Sequence, residues 1–171
     1  MICLRGRSRV IDKVEILEKR FAKLDKHYVA LKEYKLLIDD LLCARNIYEP
    51  SVFNSLEPEK RAILDAYLKR FSSIQDYLVA KVFSLVLDIA GIGSQKMSDV
   101  LYHVEKEQII DTLQEWLELR DIRNELEHEY PEHLQKALDD LKFCVDSFAK
   151  LEKYYFNTIE FAQRHIGATI G

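Results

Sequence analysis

From Val10 to about Arg45 the apolar positions fall at Val14, Phe21, Tyr28 and Leu42, and again at Leu17, Leu24, Leu31 and Ile38. This is a seven-residue repeat with alternating spacings of three and four, which lines one stripe of side chains along a helix. The pattern predicts one long helix whose seam is interrupted at Lys35. A seam of this length suits a helix packed in an antiparallel bundle more than a free coiled coil. Tyr48-Glu49-Pro50 ends it, because proline disfavours α conformation in the residue before it.

A second helix is expected to open at Asn54 or Ser55, with Pro58 in its first turn, and to stop at Ala90-Gly91-Ile92-Gly93. Glycine supplies the left-handed residue on which helices commonly end. Its most apolar stretch, Tyr77 to Ala90, is too short to span a bilayer, and Lys81, Ser84 and Asp88 give it one wet or interfacial edge. Ser98 and Asp99 can cap a short third helix reaching Val104, followed by the polar break Lys106-Glu107-Gln108. A fourth begins near Asp111 and carries Leu113, Trp116, Leu117, Leu119 and Ile122 toward Leu126, with Pro131 ending or bending it. A fifth runs to Ile166 on Leu134, Ala137, Leu138, Leu141, Val145, Phe148, Leu151, Tyr155, Ile159 and Ala162, closed by Gly167.

No strand-period run of useful length and no internal repeat is present, so the predicted class is all-α: four substantial helices and a short one, most simply an up-down bundle. With 171 residues a single domain, 1–171, is expected. Only 5 Gly and 3 Pro leave too few turn-makers for a sandwich or barrel. Nine Tyr and eight Phe offer more aromatic surface than such a bundle needs, so core packing and a dimer interface both stand as explanations.

The net charge of −4 argues against a protein that grips nucleic acid over its whole surface. It hides an asymmetry: residues 1–35 hold ten Lys/Arg against five Asp/Glu, so they carry +5 and the other 136 residues carry −9. If RNA binds, its phosphates belong on the first helix; the plainer reading is a solvated face. Cys3, Cys43 and Cys144 are odd in number and widely spaced, which suits a reducing compartment. The first residues lack the apolar run of a signal peptide, so the expected location is cytoplasmic, without membrane attachment. His27, His103, His133 and His165 share no ligand spacing, and no metal or cofactor is expected.

Candidate chemistry lies in Leu119-Arg120-Asp121-Ile122-Arg123-Asn124-Glu125-Leu126-Glu127-His128-Glu129-Tyr130-Pro131. Asn124 and His128 share a face one turn apart, whereas Arg123 is offset from His128 by about 140° on an ideal helix. The two converge only if the helix end is distorted or a cleft is shared. Pro131 biases Tyr130 out of helical geometry, so its hydroxyl can project beside them. Histidine can move the 2′-OH proton or protonate the leaving oxygen, and arginine can hold a phosphate while its charge grows. Such a set suits phosphodiester cleavage in RNA without a metal. Glu125, Glu127 and Glu129 favour imidazolium but repel RNA. Gln75 and Asp76 are candidates to orient Arg123, with core-facing or solvated roles as the plainer reading, and His133 is near enough in sequence to join.

The string Arg-Asn-Glu-Leu-Glu-His-Glu-Tyr, residues 123–130, resembles the R-x4-H-x-Y motif of HEPN ribonuclease toxins of the HepT type, including the Asn that often follows their Arg. The helix order around it agrees, although helix one is longer than is common there. The resemblance implies a dimeric helical bundle in which the Arg and His of both protomers line a shared cleft that cuts RNA without metal. Arg123 and His128 would then be catalytic, with Asn124 supporting them. It also implies a partner, an MNT-fold nucleotidyltransferase antitoxin, which adenylylates the position matched by Tyr130 and so completes a type VII toxin–antitoxin pair. The RNA substrate would be a tRNA or mRNA. A HEPN chain can alternatively serve without catalysis, as partner or substrate-binding subunit of such a transferase; a structural bundle carrying the string by chance is the third reading.

Overall fold

A computed structural model describes residues 3–93, 96–129 and 133–170, and of the side chains within them leaves out 3–10, 127–129 and 168–170. Among the described residues the regular structure is all helical: α1 (Cys3–Ala44), α2 (Pro50–Asn54), α3 (Pro58–Tyr77), a π-helical turn (Leu78–Phe83), α4 (Ser84–Ile89), α5 (Met97–Lys106), α6 (Leu113–Glu129), α7 (Leu134–Asp146) and α8 (Phe148–Ile170). No described helix is long and apolar enough to cross a membrane.

The heptad seam of α1 is its inward stripe. Val14, Leu17, Leu24, Tyr28, Leu31 and Ile38 are buried, while Phe21, Lys35 and Leu42 are half-buried. Lys35 is accommodated at the interruption by pairing with Asp39 one turn on, at 2.6 Å.

Several boundaries differ from the sequence expectation, each for a local reason. Helix α1 stops at Ala44, before Tyr48-Glu49-Pro50, and Pro50 instead opens a helix: it stands at the first position of α2, behind Glu49 in extended conformation, where its missing N–H costs nothing. Asn54 and Ser55 therefore close α2; the Ser55 backbone and hydroxyl both donate to Val52 O, at 3.0 and 2.7 Å. Helix α3 starts at Pro58, with Glu57 O accepting from the amides of Lys60 and Arg61. Its continuation to Ile89 contains the π-helical turn, Leu78–Phe83, which no proline or glycine in the sequence signals.

Gly91 has φ +76, and the bonds Ile92 N→Leu87 O (2.9 Å) and Gly91 N→Asp88 O (3.1 Å) form a Schellman stop, as the glycines suggested. At α5 the expected N-cap is displaced: Asp99 lies in the first turn, and its carboxylate accepts from the Lys96 amide at 3.3 Å. The single helix expected from Leu134 to Ile166 is two, α7 and α8, separated at Ser147. α-type bonds flank that residue (Ser147 N→Phe143 O 3.0 Å, Leu151 N→Ser147 O 3.1 Å), so the apolar period runs on almost unbroken. Nor does Gly167 close α8, which continues to Ile170.

The polar break after α5 has a specific form. Gln108 has φ +58, in the left-handed region, and the bonds Ile109 N→Val104 O (2.8 Å) and Gln108 N→Glu105 O (2.9 Å) repeat the Schellman pattern with a residue that bears a Cβ. Asn157 of α8 holds this turn, donating to Gln108 O and Ile109 O at 3.2 Å. Because glycine adopts that φ without steric cost, Gln108→Gly is expected to stabilise the protein by about 0.5–1 kcal/mol. Urea unfolding measures it, and a lower midpoint would contradict the strain assigned to this turn.

The chain folds into two compact units, each assembled from separate stretches of sequence. The first comprises Met1–Asp25, Asp76–Leu113 and Lys153–Gly171. Its core includes Leu17, Leu24, Phe83, Val104, Tyr154 and Phe161. Lys13 pairs with Asp88 at 2.7 Å, so the expected wet edge of the second helix, exposed at Lys81, Ser84 and Asp88, meets the basic first helix. The second unit comprises Lys26–Gln75 and Gln114–Glu152. Its core includes Leu31, Ile38, Tyr67, Phe71, Trp116 and Leu138. Helices α1 and α8 run antiparallel there, Lys35 meeting Phe148 and Tyr28 donating to Glu152 at 2.6 Å; His27 of α1 meets Arg70 of α3, and Glu125 of α6 pairs with Lys136 of α7 at 2.7 Å.

Candidate functional site

In the second unit, α6 turns Trp116, Leu119, Arg123 and Leu126 inward, positions separated by three, four and three residues. Arg123 therefore occupies a place on the apolar stripe and is only 5% exposed. Leu113, Leu117 and Ile122, expected on the buried face, are half-buried at its margins. The rotation is set by Trp116, which is wholly enclosed and whose ring is the largest surface α6 can bury.

Helix α3 supplies the polar surroundings. The Arg123 Nη1 donates to Ser72 O at 3.4 Å, a long hydrogen bond. One turn further along, Gln75 is 1% exposed and donates its Nε2 to Trp116 O at 3.2 Å. Its Oε1 finds no donor among the described residues. Of the two candidates to orient Arg123, Gln75 is thus buried and turned to α6, whereas Asp76 is exposed. Ser72 was missed because it acts through a backbone carbonyl, which carries no sequence signal.

From α7 comes Cys144, fully buried and unbridged. Burial pushes its thiol up to about 12, with Asp140 adding to the rise and the Arg123 guanidinium opposing it. The Tyr67 hydroxyl donates to Cys144 O at 3.0 Å, and burial also holds this phenol well above its ordinary range. A guanidinium that acts on this thiol from inside the unit is a charge in surroundings of low polarity. Stripping an ion of water costs roughly several kcal/mol, and a core position filled by an apolar residue avoids that cost.

The other predicted residues are placed less fully. Asn124 is half-buried beside Arg123. His128 lies in the last turn of α6, and its side chain is outside the described residues. Tyr130, the expected adenylylation site, is also outside them, as is Pro131. The α6 backbone remains helical through Glu129, so the angular separation of positions 123 and 128 is that of a regular helix. His133 is exposed and precedes α7, with its carbonyl accepting from Ala137 at 3.0 Å. His27 contacts Arg70 at 3.3 Å, His103 stacks edge-on with Tyr102, and His165 bonds Phe161 O at 2.9 Å. Among the described residues no group of three or more His, Cys, Asp or Glu could hold a metal ion.

Set against family models, characterised proteins and solved structures, the chain matches none of them.

Proposed function

We propose that this chain is a metal-independent endoribonuclease of the HEPN type, the toxin of a toxin–antitoxin pair, acting as a homodimeric four-helix up-down bundle with an additional short helix. The observation that carries this reading is the guanidinium of Arg123 on the buried stripe of α6, held against α3 at Ser72 O. An apolar residue would fill that position at lower cost, so a requirement other than packing accounts for an arginine there. Holding an RNA phosphate is the chemistry for which a planar fork of donors is suited.

His128 moves the proton: it takes it from the attacking 2′-OH or returns it to the leaving oxygen. Arg123 stabilises the charge that grows on the phosphate oxygens, and Asn124 supports the pair. Because α6 is regular to Glu129, positions 123 and 128 of one chain are offset by about 140° on its backbone, and a second chain completes the cleft. Regulation follows from the same electrostatics. Adenylylation of Tyr130 by an MNT-fold nucleotidyltransferase places phosphate beside Arg123, where it occupies the guanidinium and repels a tRNA or mRNA substrate.

The test is RNA cleavage in the presence of a chelator. Wild type should cleave, and His128→Ala should be slower by roughly 10²–10⁴, the usual contribution of a general acid or base. Equal rates for the two proteins would leave the reading without its base.

The burial of Arg123 also favours a second reading, a catalytically inactive HEPN chain serving as partner or substrate-binding subunit of a nucleotidyltransferase. In that case the guanidinium is a fixed part of the second unit's core, and expression of the chain alone leaves growth unaffected.

A further inference from the structure

Cations in both units pair with carboxylates. In α6, α7 and the start of α8, Arg120, Lys136, Lys142, Lys150 and Lys153 each pair with a carboxylate at 3.2 Å or less. Arg20, Lys23 and Lys81 have no carboxylate partner among the described residues, and they stand on facing turns of α1 and the π-helical turn. The Arg20 Nη1 donates to the backbone carbonyl of Lys81. Lys23, one turn along from Arg20, places its Nζ 5.1 Å from the centre of the Tyr77 ring. Tyr77 in turn lies four residues before Lys81. Glu15 of α1 and Asp88 of α4 are engaged by Lys19 and Lys13, both at 2.7 Å.

We propose that Arg20, Lys23 and Lys81 form a phosphate-binding patch for the backbone of single-stranded RNA; the choice of RNA over other phosphate carriers rests on the nuclease reading. Like charges held together repel one another and raise the free energy of the folded chain, so an anion is what the arrangement complements. Two of the three are also positioned in advance. The carbonyl fixes one edge of the Arg20 guanidinium and leaves its other N–H donors to bind phosphate bidentately. The ring of Tyr77 carries the Lys23 ammonium. Lys81 is exposed and free to follow the strand. The basic surplus of the first 35 residues thereby acquires a place in the fold.

The experiment is fluorescence anisotropy with a single-stranded RNA oligonucleotide across a salt series, in a His128→Ala background so that the RNA survives. Each phosphate contact to a single strand contributes about 0.7 to the slope of log affinity against log salt, hence about fourfold in affinity at ~0.15 M. Lys81→Gln should lower the slope by about 0.7 and weaken binding about fourfold, and Arg20→Gln/Lys23→Gln/Lys81→Gln should lower it by about 2. Lys142→Gln, at a paired exposed lysine, is the control and should bind as the parent does. Lys81→Gln and the triple variant both binding with the parental slope would overturn the patch, as would absence of RNA binding by the parent. Equal competition by inorganic phosphate or ATP would assign the cations to a small phosphate ligand and overturn RNA. Should wild type fail to cleave RNA that the parent still binds, the nuclease reading falls while the slopes remain a separate measure of the patch.

Discussion

Arg123→Met is expected to reduce RNA cleavage by roughly 10²–10³, the usual loss on removing one donor that stabilises transition-state charge. The protein should nevertheless remain folded. Methionine is apolar, unbranched and adaptable, so it can take the place of the Arg123 stem on the buried stripe that it shares with Trp116, Leu119 and Leu126. Ser72 O, inside α3, keeps its helix-ladder bond when the guanidinium is gone. Methionine keeps the apolar packing of the arginine stem, and a melting temperature within about 5 °C of wild type would show that the fold is retained. Arg123→Lys should not restore cleavage, because an ammonium lacks the planar fork. Two measurements on one preparation, a melting curve and a single-turnover cleavage rate, separate the roles. Cleavage within a few-fold of wild type would make Arg123 structural; a cleavage loss accompanied by a large fall in melting temperature would make the substitution merely unfolding.

Trp116→Ala is expected to cost about 3–5 kcal/mol, the range for emptying a large aromatic site in a core. Trp116 is fully enclosed, sets the rotation of α6, and brings its own carbonyl to Gln75. Truncation leaves a cavity beside a buried amide whose Oε1 already has no donor among the described residues, and water drawn to that amide would loosen the packing of α3 against α6. Against a total stability of about 5–15 kcal/mol for a natural domain, such a loss approaches unfolding at physiological temperature. Denaturant titration checks it, with Leu36→Ala on the exposed face of α1 as reference, expected to change stability by no more than about 0.5 kcal/mol. A cost below about 2 kcal/mol for Trp116→Ala would mean that α6 is not anchored by this ring.

Much of the architecture was legible in the chain. Most of the seam from Val14 to Ile38 is buried as its period requires, and the stop at Gly91 lies where glycine acts on the backbone. These features are local: a helix repeats every 3.6 residues, so its inward face can be read from spacing. The misplaced boundaries are those where a backbone device with no distinctive residue decides. Ser147 divides α7 from α8 without a proline or glycine, the π-helical turn likewise carries neither, and Gln108 takes a conformation usually left to glycine because Asn157, far along the chain, holds it there.

The candidate site was legible by residue type and not by placement. Sequence by itself determined that the chain is all helical, that α1 turns its heptad stripe inward, and that an arginine and a histidine five positions apart share α6. Only the tertiary structure decided that Arg123 is enclosed on the stripe of Trp116, Leu119 and Leu126, with Ser72 O as an acceptor and Cys144 within its field. An arginine on a charged helix ordinarily reads as solvated, since transfer of its charge from water is unfavourable. Whether a given one is buried depends on which surfaces of α3 and α7 meet it, and those arise from segments some 20 to 50 residues away in the chain.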